Sequence, residues 1–169
     1  NNYLEYICDS FLMERVERYD VKGKRYFESP YKYYFVDLGL RNARLNFRQL
    51  EKTHMMENVI YNELRVRGFN IDIGVVHVYK NNSEGKTTRS NLEIDFVCNQ
   101  GSKRYYIQSA YSMPTEEKVE QEEASLRNIN DSFKKIVIVG EDILVRRNEA
   151  GITTMSIYDF LLNPNSLEL

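Results

Sequence analysis

The chain has 169 residues, 42% of them hydrophobic and 28% charged, with a formal net charge of −2. This is an ordinary globular composition, and it excludes both a disordered polyelectrolyte and a surface that coats nucleic acid over its whole area. No apolar run approaches the roughly 20 residues of a membrane-spanning helix and no signal peptide is evident, which predicts a cytoplasmic protein with no membrane partner.

Two cysteines, Cys8 and Cys98, fit neither a metal nor a disulfide framework and point to a reducing compartment. The first residue is Asn1 rather than Met, which predicts a fragment or a processed product. Residues 1–50 carry nine Lys/Arg against seven Asp/Glu, and the remainder fourteen against eighteen, so only local clusters of charge carry information.

In chain order, Leu4, Ile7, Cys8, Phe11, Leu12 and Val16 recur at spacings of three and four and predict a helix over residues 2–17. Tyr19 to Tyr26 reads as a hairpin turning at Gly23, with Lys22, Lys24 and Arg25 at its tip. A helix followed by a basic-tipped hairpin has the pattern of the back half of a winged helix, and these three cations are the candidate DNA contacts. A solvated turn has the same composition. Pro30 ends that unit and Tyr33–Val36 reads as another strand. Asp37 is placed to cap a short helical turn, and Arg41, Arg44 and Arg48 follow near helical spacing.

Lys52 to Arg67 is the clearest helix, with Met56, Val59, Ile60, Leu64 and Val66 as its apolar face, Thr53 as N-cap and Gly68 as its stop. Glu57 lies at the edge of that face and Glu63 near its middle; Arg67, four residues on, is an ion-pair partner for Glu63. Residues 69–79 are strand-like and 80–90 read as a mobile loop. His54 and His77 lack the neighbours of a zinc site and read as surface or packing residues.

Asn91 to Ser112 is the stretch that carries chemistry. It reads as two strands joined at Gly101-Ser102. Strict alternation places Glu93, Asp95 and Val97 on one face of the first strand, with Leu92, Ile94 and Phe96 on the other. Tyr106, Gln108 and Ala110 share a face of the second. A carboxylate and an amide among β-branched and aromatic residues are costly to bury without partners. Two oxygen ligands on neighbouring strands suit a divalent metal, and a half-exposed hairpin with a polar outer face gives the same pattern.

Thr115 then starts a helix to about Asn130, dense in acid through Glu116, Glu117, Glu120, Glu122 and Glu123. Residues 134–140 are a buried strand, residues 152–155 a last strand, and Ser156 caps a closing helix.

From Thr53 onward the order helix–strand–strand–strand–helix–strand, with Glu57, Asp95 and Gln108 on successive elements, resembles the PD-(D/E)XK nuclease superfamily. That resemblance implies an α/β, restriction-endonuclease-like fold, a mixed sheet flanked by helices, with Glu57, Asp95 and Gln108 as catalytic and metal residues and Glu63 and Glu93 in second rank. The phrases Tyr33 to Asn42, Met56 to Leu64, Glu93 to Val97 and Tyr106 to Tyr111 together look like the domain of unknown function at the C-terminal end of a class of bacterial and archaeal AAA+-type ATPases. The implied organisation is the end of a winged helix and connector over residues 1–50, a nuclease-like domain over 51–163 and a C-terminal tail over 164–169.

In the triplet Gln108-Ser109-Ala110, Ala110 stands where an active nuclease of that superfamily has Lys. The resemblance therefore implies weak Mg²⁺ binding and impaired hydrolysis, with a role in DNA binding or regulation. ATP would bind only a module outside this chain, since no Walker loop is present. An active Mg²⁺-dependent endonuclease and a protein-docking domain using the acidic face of residues 116–123 are the alternatives.

Overall fold

In the computed structural model, which describes residues 2–48, 50–81 and 87–169, one sheet runs through the whole molecule. Its strands are β1 (Met13–Asp20), β2 (Arg25–Phe35), β3 (Asn70–Asn81), β4 (Thr87–Gln100), β5 (Lys103–Ala110), β6 (Lys134–Val139), β7 (Arg146–Arg147) and β8 (Ile152–Ser156). They lie in the order β2-β1-β3-β4-β5-β6-β8-β7. The pairs β1/β3, β5/β6 and β6/β8 are parallel and the rest antiparallel, so the fold is mixed α/β.

The helices are α1 (Asn2–Asp9), α2 (Leu38–Arg44), α3 (Lys52–Val66), α4 (Glu116–Arg127) and α5 (Ile157–Leu162). Met56, Ile60 and Leu64 of α3 and Phe160 of α5 cover one face of the sheet, against Phe96, Cys98, Ile107, Ile136 and Ile138. Leu126 of α4 and the following Ile129 cover the other, against Ile94, Val97, Tyr106, Ala110, Val137 and Val139. The alternate membership of Ile136 to Val139 in the two clusters is the signature of a strand buried on both faces. The order α3-β3-β4-β5-α4-β6 is the one the sequence predicts.

The N-terminal region departs from expectation. Helical spacing predicts one helix over residues 2–17, but α1 stops at Asp9, Phe11 takes a positive φ of 59°, and Met13–Asp20 forms a strand. Pairing with β2 along most of its length, and with β3 at Arg18–Asp20, outweighs the local helical pattern, because the ladder gives backbone groups partners that the helix would otherwise supply. The basic-tipped hairpin forms as expected, with the Asp20 carboxylate accepting the Gly23 amide at 2.8 Å. It does not stand apart as a wing: its first strand is parallel to β3 and continues the central sheet.

Nor does Pro30 end the unit. β2 runs through it, with an irregularity between the Val16 and Arg18 pairings, as an edge strand permits.

The apolar face of α3 is also shifted. Val66 is 83% exposed, whereas Glu57, Asn58 and Tyr61 are buried. Thr53 is not the cap; Glu51 holds that position, with no side-chain bond to the helix amides. Asp37 and Ser156 cap α2 and α5 as expected, and Thr115, read as the start of its helix, caps α4. The loop expected at residues 80–90 is largely strand, apart from residues 82–86, which lie outside the described residues. The C-terminal segment is packed, with Ser166 and Leu167 buried.

Candidate functional site

The site forms where β2, β1, β4 and the first half of α3 meet. Lys32 and Tyr34, two apart on β2, both reach Glu57 on α3: the Lys32 ammonium lies 2.6 Å from Glu57 Oε1, and the Tyr34 hydroxyl donates to the same oxygen at 2.6 Å. Lys32 also lies 3.1 Å from Glu93 Oε1 and 3.6 Å from Asp95 Oδ1. Arg18 of β1 donates to the other oxygen of Glu93. Asp95 Oδ2 accepts the Ser109 amide of β5 at 2.8 Å. One ammonium thus lies within 3.6 Å of three carboxylates.

A local irregularity in β4 aims Asp95 at this cluster. Asp72 pairs with Val97 and Gly74 with Ile94, so the two residues Asp95 and Phe96 stand opposite Ile73 alone. Such a bulge interrupts alternation. Asp95 therefore shares the α3 side of the sheet with Phe96, while Ile94 and Val97 both face α4. Strict alternation had placed Phe96 opposite to Asp95 and Val97 beside it, and both assignments are corrected.

β5 keeps its register, with consequences for the triplet on it. Ile107 faces α3, while Tyr106 and Ala110 face α4. Gln108, between Ile107 and Ser109, alternates onto the α4 side, where its buried Oε1 has no hydrogen-bond partner among the described residues. The structure thus brings Glu57, Asp95 and Glu93 together and leaves Gln108 on the opposite face. Ser109, not Gln108, is the β5 residue on the carboxylate side. It is 92% buried (8% exposed), and its hydroxyl also lacks a partner among the described residues. Glu63 is elsewhere, paired with Arg67 Nε at 2.8 Å, and Arg67 in turn ties the C-terminal segment through Ser166 Oγ at 2.9 Å.

The electrostatics follow from burial and these contacts. Burial raises the Asp95 carboxyl and the nearby Glu57 charge adds to this, pushing it up to about 7 despite Lys32 and the Ser109 amide. Burial opposes ionisation of Glu93, but the bonds from Arg18 and Lys32 outweigh it and hold this group below the ordinary range. Lys32 is the reverse case: burial alone would lower it, and Glu57, Asp95 and Glu93 together raise it, so the ammonium stays charged. The cluster opens to solvent through a cleft of about 200 Å³ lined by Lys32, Tyr34, Leu38, Arg41, His54 and Glu57.

Among the described residues no group of three or more His, Cys, Asp or Glu side chains is arranged to hold a metal ion. The donor types nearest that role are the carboxylates of Glu57 and Asp95 and the unpartnered Ser109 hydroxyl, hard oxygens of the kind Mg²⁺ takes. His77 is held by Asn91 Oδ1 at 2.7 Å and lies 3.3 Å from Asp20 Oδ2, and His54 pairs with Glu51. At the hairpin tip Lys22 donates to the His77 carbonyl at 3.3 Å and Arg25 lies 3.6 Å from Asp20, while Lys24 is exposed.

Sequence reasoning missed Lys32, Tyr34, Arg18 and Ser109. The available signal was a lone lysine two residues from a tyrosine within the aromatic run Tyr31 to Phe35.

The profile of a domain of unknown function, DUF4143, matches residues 52–160, more than half of the chain. The chain belongs to the DUF4143 family. A second domain of unknown function, DUF8612, matches residues 1–51. This DUF4143 chain is 28% identical over 162 residues to an uncharacterised protein of Haemophilus influenzae, covering 96% of the chain and 36% of that protein. It is 31% identical over 130 residues to the uncharacterised protein MJ1544 of Methanocaldococcus jannaschii, covering 77% of the chain and 26% of that protein. The chain therefore spans about a third of the length of these bacterial and archaeal relatives or less. No solved structure matches it. No helix among the described residues is long and apolar enough to cross a membrane. Within the DUF4143 chain the cluster is shared by the two matched segments, since Arg18, Lys32 and Tyr34 come from residues 1–51 and Glu57, Glu93 and Asp95 from 52–160.

Proposed function

We propose that this DUF4143 domain is a restriction-endonuclease-like module whose hydrolytic chemistry is impaired and which serves DNA binding or regulation within a longer, AAA+-type ATPase. The observation that carries the reading is the neutralisation of its carboxylates from within: Lys32 lies within 3.6 Å of Glu57, Glu93 and Asp95 at once. Carboxylates that have a buried internal cation as partner are poor acceptors for an external one. The element order and the convergence of Glu57 with Asp95 support the nuclease likeness, and the length of the relatives fits a larger parent protein. The exposed Lys24 and Arg25 at the hairpin tip are the candidate phosphate contacts.

The test is a mobility-shift titration with duplex DNA at low salt in EDTA, run beside plasmid nicking in Mg²⁺ or Mn²⁺. Salt-sensitive binding, weakened in Lys24→Ala/Arg25→Ala, without nicking is the expected result. Nicking that disappears in Asp95→Ala establishes instead a Mg²⁺-dependent endonuclease. One observation favours that second reading: Lys32 brings to the carboxylates the ammonium that Ala110 fails to supply. Protein docking through residues 116–123 would rest on the exposed Glu116, Glu117 and Glu120, since Glu123 is buried and bonded to Arg127 and Asn148.

A further inference from the structure

Lys32 belongs to a strand at the sheet edge, yet its ammonium ends among carboxylates carried by α3 and β4. This is not a surface ion pair. Glu57 and Asp95 are each 8% exposed, and the Lys32 ammonium lies within 3.6 Å of both and of Glu93. On the same face of the sheet is the hydroxyl of Ser109, whose backbone amide donates to Asp95; that hydroxyl is 92% buried (8% exposed) and without a partner among the described residues. A buried hydroxyl normally finds a partner, so its isolation on the carboxylate face, in a residue whose amide already holds Asp95, marks an oxygen-donor position that the ammonium does not use. Carboxylates plus hydroxyl form a donor set for a hard cation, and Lys32 stands among the donors such an ion would contact.

We infer that Lys32 is a tethered cation that competes with divalent metal for Glu57 and Asp95, so that edge strand β2 acts as a latch on the site. The inference rests on the carboxylate pair of the proposed function but not on DNA binding. Two features make β2 suited to the role. Among the described residues it has a strand neighbour on only one side, β1, and its Phe35 peptide is held by the Asn58 side chain on α3. Lys32 and Tyr34 both leave Glu57 if the strand shifts, and the aromatic stacking of Tyr34 on Tyr61 at 4.1 Å couples their departure to the helix. Metal and latch are then linked: whatever moves β2 favours the metal, and the metal favours the moved strand.

The experiment is Mn²⁺ titration, followed by electron paramagnetic resonance of the free ion, of the whole chain as wild type, Lys32→Met and Lys32→Met/Asp95→Asn. Lys32→Met is expected to bind Mn²⁺ about tenfold or more tightly than wild type, within the usual range of coupling between sites, and the double variant to lose the gain. Equal affinity in wild type and Lys32→Met, or a gain that survives Asp95→Asn, overturns the inference. Hydrogen exchange of the wild type needs no variant to fold. Saturating Mn²⁺ is expected to speed exchange over residues 32–35, and slowed or unchanged exchange there refutes the latch. A failed DNA shift in EDTA sinks the DNA-binding reading and leaves the metal titration untouched.

Discussion

The side chain of Asn58 pairs with both backbone groups of Phe35: its Oδ1 accepts the amide at 2.8 Å and its Nδ2 donates to the carbonyl at 2.7 Å. A helix side chain thus does for the edge strand what another strand would do, and Asn62 adds bonds at 3.1 Å to the carbonyls of Phe35 and Val36. The same segment carries Lys32 and Tyr34, so the clamp fixes the distance from β2 to Glu57. Asn58→Ala removes both bonds at a 6% exposed position and is expected to cost about 2 kcal/mol, read by urea denaturation. A loss below about 0.5 kcal/mol would show that the clamp contributes little.

Gly74 faces Ile94 at the irregularity that turns Asp95 toward α3. A Cβ there would lie 2.9 Å from both Ile94 Cβ and Val97 Cγ2. Gly74→Ala is therefore expected to destabilise by roughly 1–3 kcal/mol through overpacking. Thermal unfolding measures the loss, and a variant as stable as wild type would mean that β3 and β4 separate at little cost.

Restoring a lysine at residue 110 is the obvious repair of the nuclease-like triplet, and the register speaks against it. Ala110 is 3% exposed and packs in the α4 cluster, on the side of the sheet away from Asp95. Ala110→Lys buries an unpaired charge and is expected to lose about 3 kcal/mol or more of stability. No gain in plasmid cleavage should accompany it. A stable, nicking-competent variant would require the strand to be rotated relative to this register.

Asp72 gives a pH dependence independent of the cluster. The Tyr26 hydroxyl donates to its Oδ2 at 3.3 Å, yet burial outweighs that bond and nearby Arg104, raising its pKa above 3.8. A carboxylate raised on folding adds stability that is complete below its unfolded value and drains away as pH climbs through the folded one. Asp72→Asn should therefore gain on wild type in melting temperature as pH rises from below 4 into the range above it. Scanning calorimetry at several pH values gives the comparison, and a difference that is flat or falls with pH contradicts it.

Much of the fold was legible locally. The α3-β3-β4-β5-α4-β6 order, the caps at Asp37, Thr115 and Ser156, and the Glu63–Arg67 pair all depend on near neighbours, where spacing alone specifies the contact. Residues 13–17 read locally as helix, whereas the strand they form depends on β2 and, at Arg18–Asp20, on β3 more than fifty residues away, and no local pattern encodes such partners.

The carboxylates were legible as residues but not as an assembly. Residue type and spacing single out Glu57, Asp95 and, in second rank, Glu93. Their meeting with Lys32, and the turning of Asp95 away from the face that carries Gln108, were decided only by tertiary structure. The reason is geometric: one added residue in a strand reverses every face beyond it. A bulge opposite Ile73 is specified by how β4 fits β3, not by the residues of β4 read alone.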